Sequence, residues 1–375
     1  MLQEYNTESF KEKKNATLQK RINYLLSELP DYCQPYELFL RQTSVIKTRA
    51  EYLQDIYIFF RYMALKNPGI NSAKEVKLSD LEQLNGFDFD DYSAWLIEYR
   101  FNPNDENETL KHNSNVTRKR KFASLKSLFH YLYVRDYISC NPSEKAIVPK
   151  VWKKKRKDIR ILEDNESSAF IQAIDEEYER CSDKLEKAKS ADMKISKQLD
   201  MGPALALRDK AIVFLFLGTG LRVSELCAID CSNISPLGYI NVIRKEDSDE
   251  DKTTDKVYIG DDVQTALNMY LKYGRDKIGA AMDNYDALFL SSKHERITPR
   301  GVELMIKKYA DRALGTNSGI TPHKLRATFG TRYYAMTGDI SATSTVMNHS
   351  SIEVTASYYL REDKDAKEKG ADVRI

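Results

Sequence analysis

The stretch "LRDKAIVFLFLGTGLRVSEL" (Leu207–Leu226) decides how the second half of the chain folds. Its apolar run from Ala211 to Leu217 predicts a buried helix. Gly218 and Gly220 predict that the helix ends there, because glycine readily adopts the left-handed backbone that closes a helix. A new helix, "RVSEL", then begins and places Arg222 near its N-terminus, where the helix dipole disfavours positive charge. The simplest explanation is a surface arginine paired with Glu225, one turn on.

The composition predicts a soluble globular protein of two domains. The chain has 375 residues, of which 42% are hydrophobic and 30% charged. Its N-terminus is polar, and its longest apolar run is far below the ~20 residues of a membrane span. Five cysteines without a secretion signal predict a reducing cytoplasm. Cys227 and Cys231 are predicted to pack in an apolar interior and not to bind metal.

Two basic patches suggest a nucleic-acid partner, although the net charge is only +2. They are "TRKRK" (Thr117–Lys121) and "KVWKKKRKDIR" (Lys150–Arg160). Both lie near one predicted domain junction, and the alternative is that each is a solvated face. An acidic block, "EDSDED" (Glu246–Asp251), stands apart from them. The candidate DNA-binding residues are Arg118, Lys119, Lys121, Lys153, Lys154, Lys155 and Arg156.

Helical periodicity organises the first half of the chain. Residues 1–34 are predicted to be a helical N-terminal extension, and residues 35–145 a helical domain. Within that domain, residues 48–66 carry an apolar stripe, and residues 115–133 carry another. "SDLE" (Ser79–Glu82) matches a capping box that would open a further helix. The two stripes comprise Leu53, Ile56, Phe60 and Met63 in the first, and Phe122, Leu125, Leu128, Phe129 and Leu132 in the second.

The second half is predicted to begin after a basic linker, residues 146–160, and to span residues 161–375. Residues 176–202 are lysine-rich and are either an insertion or an exposed helical hairpin. "YINVI" (Tyr239–Ile243) and "DKVYIG" (Asp255–Gly260) have strand character and predict a β-hairpin with the acidic block at its tip. "LFLSS" (Leu288–Ser292) is a candidate short strand.

Several polar residues in this half together match the needs of phosphodiester transfer without a metal. Arg222 is joined by His323 and Arg326 of "PHKLR", which lie three apart on one helical face. "HSSIEVTASYYL" (His349–Leu360) adds a histidine and two tyrosines, and the β-hairpin adds a lysine. Two guanidinium groups can neutralise a pentacoordinate phosphate. A histidine can act as base or donor, an ammonium can protonate the leaving oxygen, and a phenol can attack.

The chain resembles the tyrosine recombinase (phage integrase) family from about Pro35 to Leu360. "GTGLRVSEL" matches the box of the family's first catalytic arginine, which implies Arg222. "HKLRATFGT" matches the His-x-x-Arg box, which implies His323 and Arg326. "MNHSSIEVTASYY" matches the box that holds the second histidine, His349, and the nucleophile. The resemblance implies a mainly α fold with a small antiparallel β-sheet. A helical core-binding domain and a mixed α/β catalytic domain would form a C-shaped clamp around DNA.

The resemblance also implies an activity, site-specific DNA recombination. A tyrosine would form a 3′-phosphotyrosyl link, and strand exchange would pass through a Holliday junction. Four protomers would act on two double-stranded DNA sites in a bacterial cytoplasm, with accessory or directionality proteins as possible partners and no metal or other cofactor. An integrase or transposase of a mobile element is favoured. A chromosome-dimer-resolving recombinase and a catalytically inactive DNA-binding protein are the alternatives.

Two positions depart from the family's pattern or need a choice. The family's Leu-Gly before the second histidine is Met347-Asn348 here, and asparagine tolerates the left-handed conformation that glycine would adopt. The hairpin offers three lysines, Lys245, Lys252 and Lys256, and Lys245 best fits the position just after the first strand.

Two features favour Tyr358 over Tyr359 as the nucleophile. Ile352, Ala356 and Tyr359 share a packing stripe, from which Tyr358 lies about 100° away around the helix. The family's nucleophile follows the second histidine by nine residues, and nine residues after His349 is Tyr358.

Overall fold

The structure is a computed structural model that describes residues 10–101, 107–150, 160–244, 254–281, 285–348, 351–353 and 355. These residues form two compact units, one up to residue 150 and one from residue 160 onward. The fold class predicted from sequence, mainly α-helical with small antiparallel β-structure, is confirmed. No helix among the described residues is long and apolar enough to cross a membrane.

The first unit is a helical bundle with one two-stranded hairpin. Its long helices pair by apolar faces, as the sequence periodicity predicts, and all nine residues of the two predicted stripes are buried. Its elements are α1 (Phe10–Ser27), α2 (Cys33–Thr43), α3 (Ile46–Lys66), α4 (Leu78–Glu82), α5 (Gly86–Trp95), β1 (Glu98–Tyr99), β2 (Lys111–His112) and α6 (Asn115–Val134).

The segment before residue 35 is part of this bundle's core. Helix α1 packs against α3, and Ile22, Leu25 and Leu29 are at most 1% exposed. Cys33, at the start of α2, is fully buried in the same cluster. Ile22, Leu25, Leu29 and Cys33, from the segment predicted as an N-terminal extension, therefore share one hydrophobic core with the rest of this unit.

The helix start predicted from the capping box Ser79–Glu82 lies two residues earlier in the structure. Helix α4 begins at Leu78, and its N-cap is Lys77, whose backbone N–H donates to the Asp80 carboxylate at 2.8 Å. Ser79 therefore lies inside the helix. The Asp80 carboxylate satisfies a free N–H at the start of the helix.

The second unit is built around one central helix, α8. This helix contacts α7, α10 and α13, and its apolar residues Ala211, Ile212, Val213, Leu215 and Phe216 are all fully buried. The elements are α7 (Asp164–Ser190), α8 (Lys197–Thr219), α9 (Val223–Cys227), β3 (Ile234–Ser235), β4 (Tyr239–Ile243), β5 (Thr254–Tyr258), α10 (Asp261–Tyr270), a π-helical turn (Leu271–Arg275), α11 (Asp276–Ile278), α12 (Pro299–Leu314), α13 (Pro322–Thr337) and α14 (Ile340–Val346).

The lysine-rich region 176–202 forms the ends of two long helices in contact, α7 and α8. This is the helical hairpin that the sequence left as one of two alternatives. It is not wholly exposed, because Leu185, Ala188 and Met201 are buried. Gly202 allows the two helices to approach, since a Cβ there would lie 3.1 Å from the Cys181 side chain.

The predicted β-hairpin is confirmed as the antiparallel pair β4–β5, in register from Tyr239 opposite Tyr258 to Ile243 opposite Thr254. Strand β3 adds to the other edge of β4. The candidate strand at Leu288–Ser292 is wrong, because this segment makes a single isolated bridge among the described residues, from Leu290 to Arg296. Cys227 is buried in the apolar cluster of this unit, and Cys231 packs against it.

Candidate active site

Helix α8 ends at the glycine predicted to stop it. Gly220 has φ 62°, in the left-handed region, and its N–H donates to the Phe216 carbonyl at 3.0 Å. A Cβ on Gly220 would overlap the Phe329 ring of α13. The turn at Gly220 therefore needs glycine for its conformation and for its close packing. Gly218, also predicted as a stop, lies inside the helix.

Changing Gly220 to alanine is expected to lower the stability of the second unit by about 3 kcal/mol, from left-handed strain and overpacking against Phe329. The matched control is Gly338→Ala. Gly338 also closes a helix, with φ 65°, but a Cβ there would meet no atom within 4 Å. That change should cost only about 1–2 kcal/mol of strain. Calorimetry on both variants checks this, and equal losses would contradict the packing argument.

Arg222 is held at the start of α9 by one carboxylate. Glu225 accepts hydrogen bonds from the Arg222 backbone N–H and from its Nη1, both at 2.8 Å. The Arg222–Glu225 pair that the sequence suggests is thus present. The carboxylate offsets the unfavourable interaction between the Arg222 charge and the helix dipole. Arg222 also donates through Nη2 to the carbonyl of Asn348, 126 residues away. Its side chain is 35% exposed, so it is not merely a surface arginine.

Arg326 reaches the same region from the opposite side. It lies one turn into α13 and is 4% exposed. Its guanidinium donates through Nη1 to the Gly220 carbonyl and through Nη2 to the Met347 carbonyl. Arg326 therefore joins the end of α8 to the end of α14.

Both arginines meet at the turn Met347–Asn348, which directly precedes His349. Helix α14 ends at Val346, and Asn348 has φ 45°. The expectation that asparagine adopts the left-handed conformation here is confirmed. Two guanidinium groups converge on two successive carbonyls, so the structure brings Arg222 and Arg326 together where the chain enters the "HSSIEVTASYYL" stretch.

His323 lies at the start of α13, one turn before Arg326, and it is solvent exposed. Desolvation by the surrounding protein and the positive charges of Arg326 and Lys324 hold the pKa of His323 below its usual range. The shift favours the uncharged imidazole, which is the form that can accept a proton.

An open cleft of about 540 Å³ lies beside His323. Val223 of α9, Arg300 and Lys307 of α12 and the loop before α13 line it. Glu303 and Asp311 of α12 also line the cleft and pair with Arg300 and Lys307 at 2.9 and 2.8 Å, so the charges of α12 along it are paired.

The remaining predicted catalytic residues are only partly covered by the structure. Lys245, His349 and Tyr358 lie outside the described residues, as does Lys252. Lys256 lies in β5 opposite Asn241, with its Nζ 4.9 Å from the centre of the Tyr239 ring.

One of the predicted DNA-binding residues, Lys121, is misassigned. It is 5% exposed, and its Nζ donates to Asp55 of α3 at 2.9 Å, so it joins two helices of the first unit and does not face solvent. Arg118 is half-buried and donates to the Ser93 carbonyl at 2.9 Å. Lys119 is exposed. Lys153, Lys154, Lys155 and Arg156 lie outside the described residues.

The sequence reasoning missed Arg244, the last described residue before the hairpin tip. It is 8% exposed and donates through Nη1 to Glu225 and through Nε to Asp255, both at 3.1 Å. Glu225 thus binds Arg222 and Arg244 together. One weak indication exists in the sequence. In "YINVIR", every second residue of a strand faces the same side, so Arg244 shares a face with the buried Ile240 and Val242.

Within the part of the chain that the structure describes, no group of three or more His, Cys, Asp or Glu side chains is placed to hold a metal ion. The polar groups that converge beside the Met347–Asn348 turn are the two arginines and the carboxylate of Glu225.

Comparison with known proteins gives concordant results. Residues 193–365 match the model of the phage integrase family. The chain is 31% identical over 255 residues to tyrosine recombinase XerC of Thermodesulfovibrio yellowstonii, which covers 67% of this chain and 73% of that protein. It is 28% identical over 361 residues to tyrosine recombinase XerC of Caldanaerobacter subterraneus, with 93% and 89% covered.

Among solved structures, the Tn1549 transposon integrase in complex with circular intermediate DNA is similar in fold. The TM-score is 0.54 at 20% sequence identity, over 90% of this chain and 98% of that one. The similarity concerns the fold alone.

Proposed function

The chain belongs to the tyrosine recombinase family, and on this premise we propose that it breaks and rejoins DNA at specific sites through a covalent bond to Tyr358. The observation that carries the proposal is the convergence of Arg222 and Arg326 on the turn directly before His349. A phosphodiester bound there would meet two delocalised positive charges. Guanidinium groups suit this task, because their planar forks bind phosphate oxygens in pairs.

In this proposal each residue acts on a different part of the phosphate. Arg222 and Arg326 stabilise the charge that develops on the non-bridging oxygens. His323, whose lowered pKa favours the uncharged form, accepts a proton or donates its N–H, and His349 contacts the same group. Lys245 protonates the leaving 5′-oxygen. Tyr358 attacks the phosphorus, which conserves the bond energy in a 3′-phosphotyrosyl link until a 5′-hydroxyl restores the DNA.

The proposed partners follow from this reaction. Double-stranded recombination sites are the substrate, and four copies of the chain act on two sites, with accessory or directionality proteins as further partners. We assign this activity to DNA in a bacterial cytoplasm. The predicted division into a core-binding domain (35–145), a basic linker (146–160) and a catalytic domain (161–375) is retained as part of the proposal. Ile22, Leu25, Leu29 and Cys33 pack with the first of these.

Two biological roles fit the proposed chemistry. One is an integrase or transposase of a mobile element, and the other is a recombinase that resolves chromosome dimers. Sequencing of the DNA covalently trapped on the protein in cells distinguishes them. Trapping at the ends of an excisable element supports the first, and trapping at a single chromosomal site supports the second.

The test of the enzymatic proposal uses a duplex with a nick beside the scissile phosphate, so that the small fragment diffuses away after cleavage. The wild-type protein should form an SDS-resistant protein–DNA adduct without added metal. Binding without any adduct would instead support the alternative of a catalytically inactive DNA-binding protein. The duplex sequences come from DNA that is recovered with the protein after reversible crosslinking in cells, which requires binding but not cleavage.

Neighbouring lysines in α6 should have separate effects, because one is exposed and the other buried. Lys119→Ala is expected to weaken DNA binding and to reduce the salt dependence of affinity by about one counterion. Lys121→Met is expected to lower the stability of the first unit by about 1–3 kcal/mol, since it leaves Asp55 with fewer partners. Binding titrations at several salt concentrations and thermal unfolding check both. A loss of affinity in a fully folded Lys121→Met variant would contradict the assignment.

A further inference from the structure

Arg244 occupies a position that the proposed chemistry does not explain. It follows the last residue of β4 and directly precedes Lys245 in the sequence. Its side chain is 7% exposed, so its charge is largely removed from water. Burial of a guanidinium is unfavourable unless carboxylates surround it, and Arg244 has two.

The two carboxylates lie on different elements. Asp255 belongs to β5 and pairs in register with Val242, so its bond to Arg244 joins the two strands at the end of the hairpin next to its connecting loop. Glu225 belongs to α9 and is only 4% exposed. One guanidinium therefore bridges the loop end of the hairpin, here called its neck, to the short helix α9, whose N-cap is Arg222.

Glu225 divides its two oxygens between both arginines. Oε1 accepts from Arg222 Nη1, and Oε2 accepts from the Arg222 backbone N–H and from Arg244 Nη1. The position of the carboxylate sets that of Arg222, because each Arg222–Glu225 contact is 2.8 Å long and α9 has only five residues. Removal of Arg244 would free one side of Oε2 and allow the carboxylate to rotate.

We propose that Arg244 is a positioning residue: through Glu225 it fixes the orientation of Arg222 and links it to the neck of the β4–β5 hairpin. The inference rests on the proposed function, in which Arg222 contacts the scissile phosphate. Arg244 itself contacts no substrate. It keeps the position of Arg222 relative to the end of β4 constant while the phosphate changes geometry.

The main experiment measures adduct formation on the nicked duplex under single-turnover conditions, with the protein saturating, for wild type, Arg244→Ala and Arg244→Lys. Misplacement of a reacting group by about 1 Å can cost about 100-fold in rate. We expect Arg244→Ala to lower the cleavage rate about 10- to 100-fold and to leave the dissociation constant for DNA within about threefold. Arg244→Lys should recover part of the rate, because an ammonium can pair with Glu225 but cannot bridge both carboxylates.

A matched control separates positioning from loss of folding. Arg312 of α12 donates to the buried Glu177 at 2.9 Å, so Arg312→Ala removes an equally short ion pair elsewhere in the unit. It should leave the cleavage rate of the folded protein near that of wild type. An equal rate loss in Arg312→Ala and Arg244→Ala would overturn the proposal, because the effect would then reflect general destabilisation.

A double-mutant cycle tests whether Arg244 acts through Arg222. In an Arg222→Lys background, Arg244→Ala should lower the cleavage rate much less than it does in wild type, since the Arg222 guanidinium that Arg244 positions is already absent. Full additivity would overturn the proposed route. Wild-type rates in Arg244→Ala would overturn the inference and leave the proposed function intact, whereas no adduct with wild type would remove the proposed function itself.

Discussion

Tyr358→Phe is expected to abolish the covalent protein–DNA adduct on a nicked duplex. The phenol oxygen is the atom that forms the new bond to phosphorus, and phenylalanine keeps the ring but has no such oxygen. Removal of a nucleophile lowers the rate by many orders of magnitude, on the order of 10⁶ in a well-studied hydrolase. No adduct should therefore be detectable, while binding of the duplex is retained. Gel electrophoresis in SDS and a binding titration measure the two quantities.

The adjacent tyrosine provides the control for this experiment. Tyr359→Phe removes a hydroxyl at the next position. Helical phase predicts a packing stripe of Ile352, Ala356 and Tyr359, but Ile352 is 51% exposed, so that part of the argument is wrong and the choice of Tyr358 rests on its spacing from His349. This variant should form the adduct at close to the wild-type rate. An adduct that persists in Tyr358→Phe and disappears in Tyr359→Phe would show that the spacing argument chose the wrong residue.

Local features of this chain were predictable from sequence because local physics determines them. The apolar stripes of α3 and α6 follow from helical periodicity, since a helix must bury one face. Gly220 and Asn348 were predicted to take the left-handed backbone, and both do. Each prediction depended on residues within one or two turns of the position concerned.

The errors arose where a distant residue decides the outcome. "TRKRK" was interpreted as a basic surface, yet Lys121 turns inward because Asp55, 66 residues earlier, lies opposite it in the folded unit. The bonds of Arg326 to the Gly220 carbonyl and of Arg244 to Glu225 likewise join residues that are 106 and 19 positions apart. No periodicity in a single sequence encodes such pairs, because they depend on how helices pack.

The displaced start of α4 has a different cause, competition between neighbouring caps. Ser79 with Glu82 and Lys77 with Asp80 share the same three-residue spacing, so the pattern alone does not choose between them. The structure uses the second, in which the Asp80 carboxylate accepts from the Lys77 backbone N–H. A backbone donor is present at every residue except proline, and therefore the acidic partner identifies such a cap better than the residue at its start.

Arg222→Ala is expected to lower the rate of adduct formation by about 10³-fold, the scale on which an arginine contributes to phosphoryl transfer. Folding should be retained, because Glu225 keeps its bonds from the residue-222 backbone N–H and from Arg244. Arg222→Lys should recover only a small part of the rate, since an ammonium restores the charge without the planar fork that binds two oxygens.

Single-turnover cleavage and thermal unfolding measure these effects side by side, with Arg312→Ala as the control for loss of an ion pair to a buried carboxylate in the same unit. A folded Arg222→Ala protein that cleaves at the wild-type rate would exclude contact between this guanidinium and the phosphate. The convergence at Met347–Asn348 would then have to be structural, with the two arginines serving to hold the end of α14 against α8 and α9. The relative sizes of the rate and stability losses thus decide between a catalytic and a structural role for the turn.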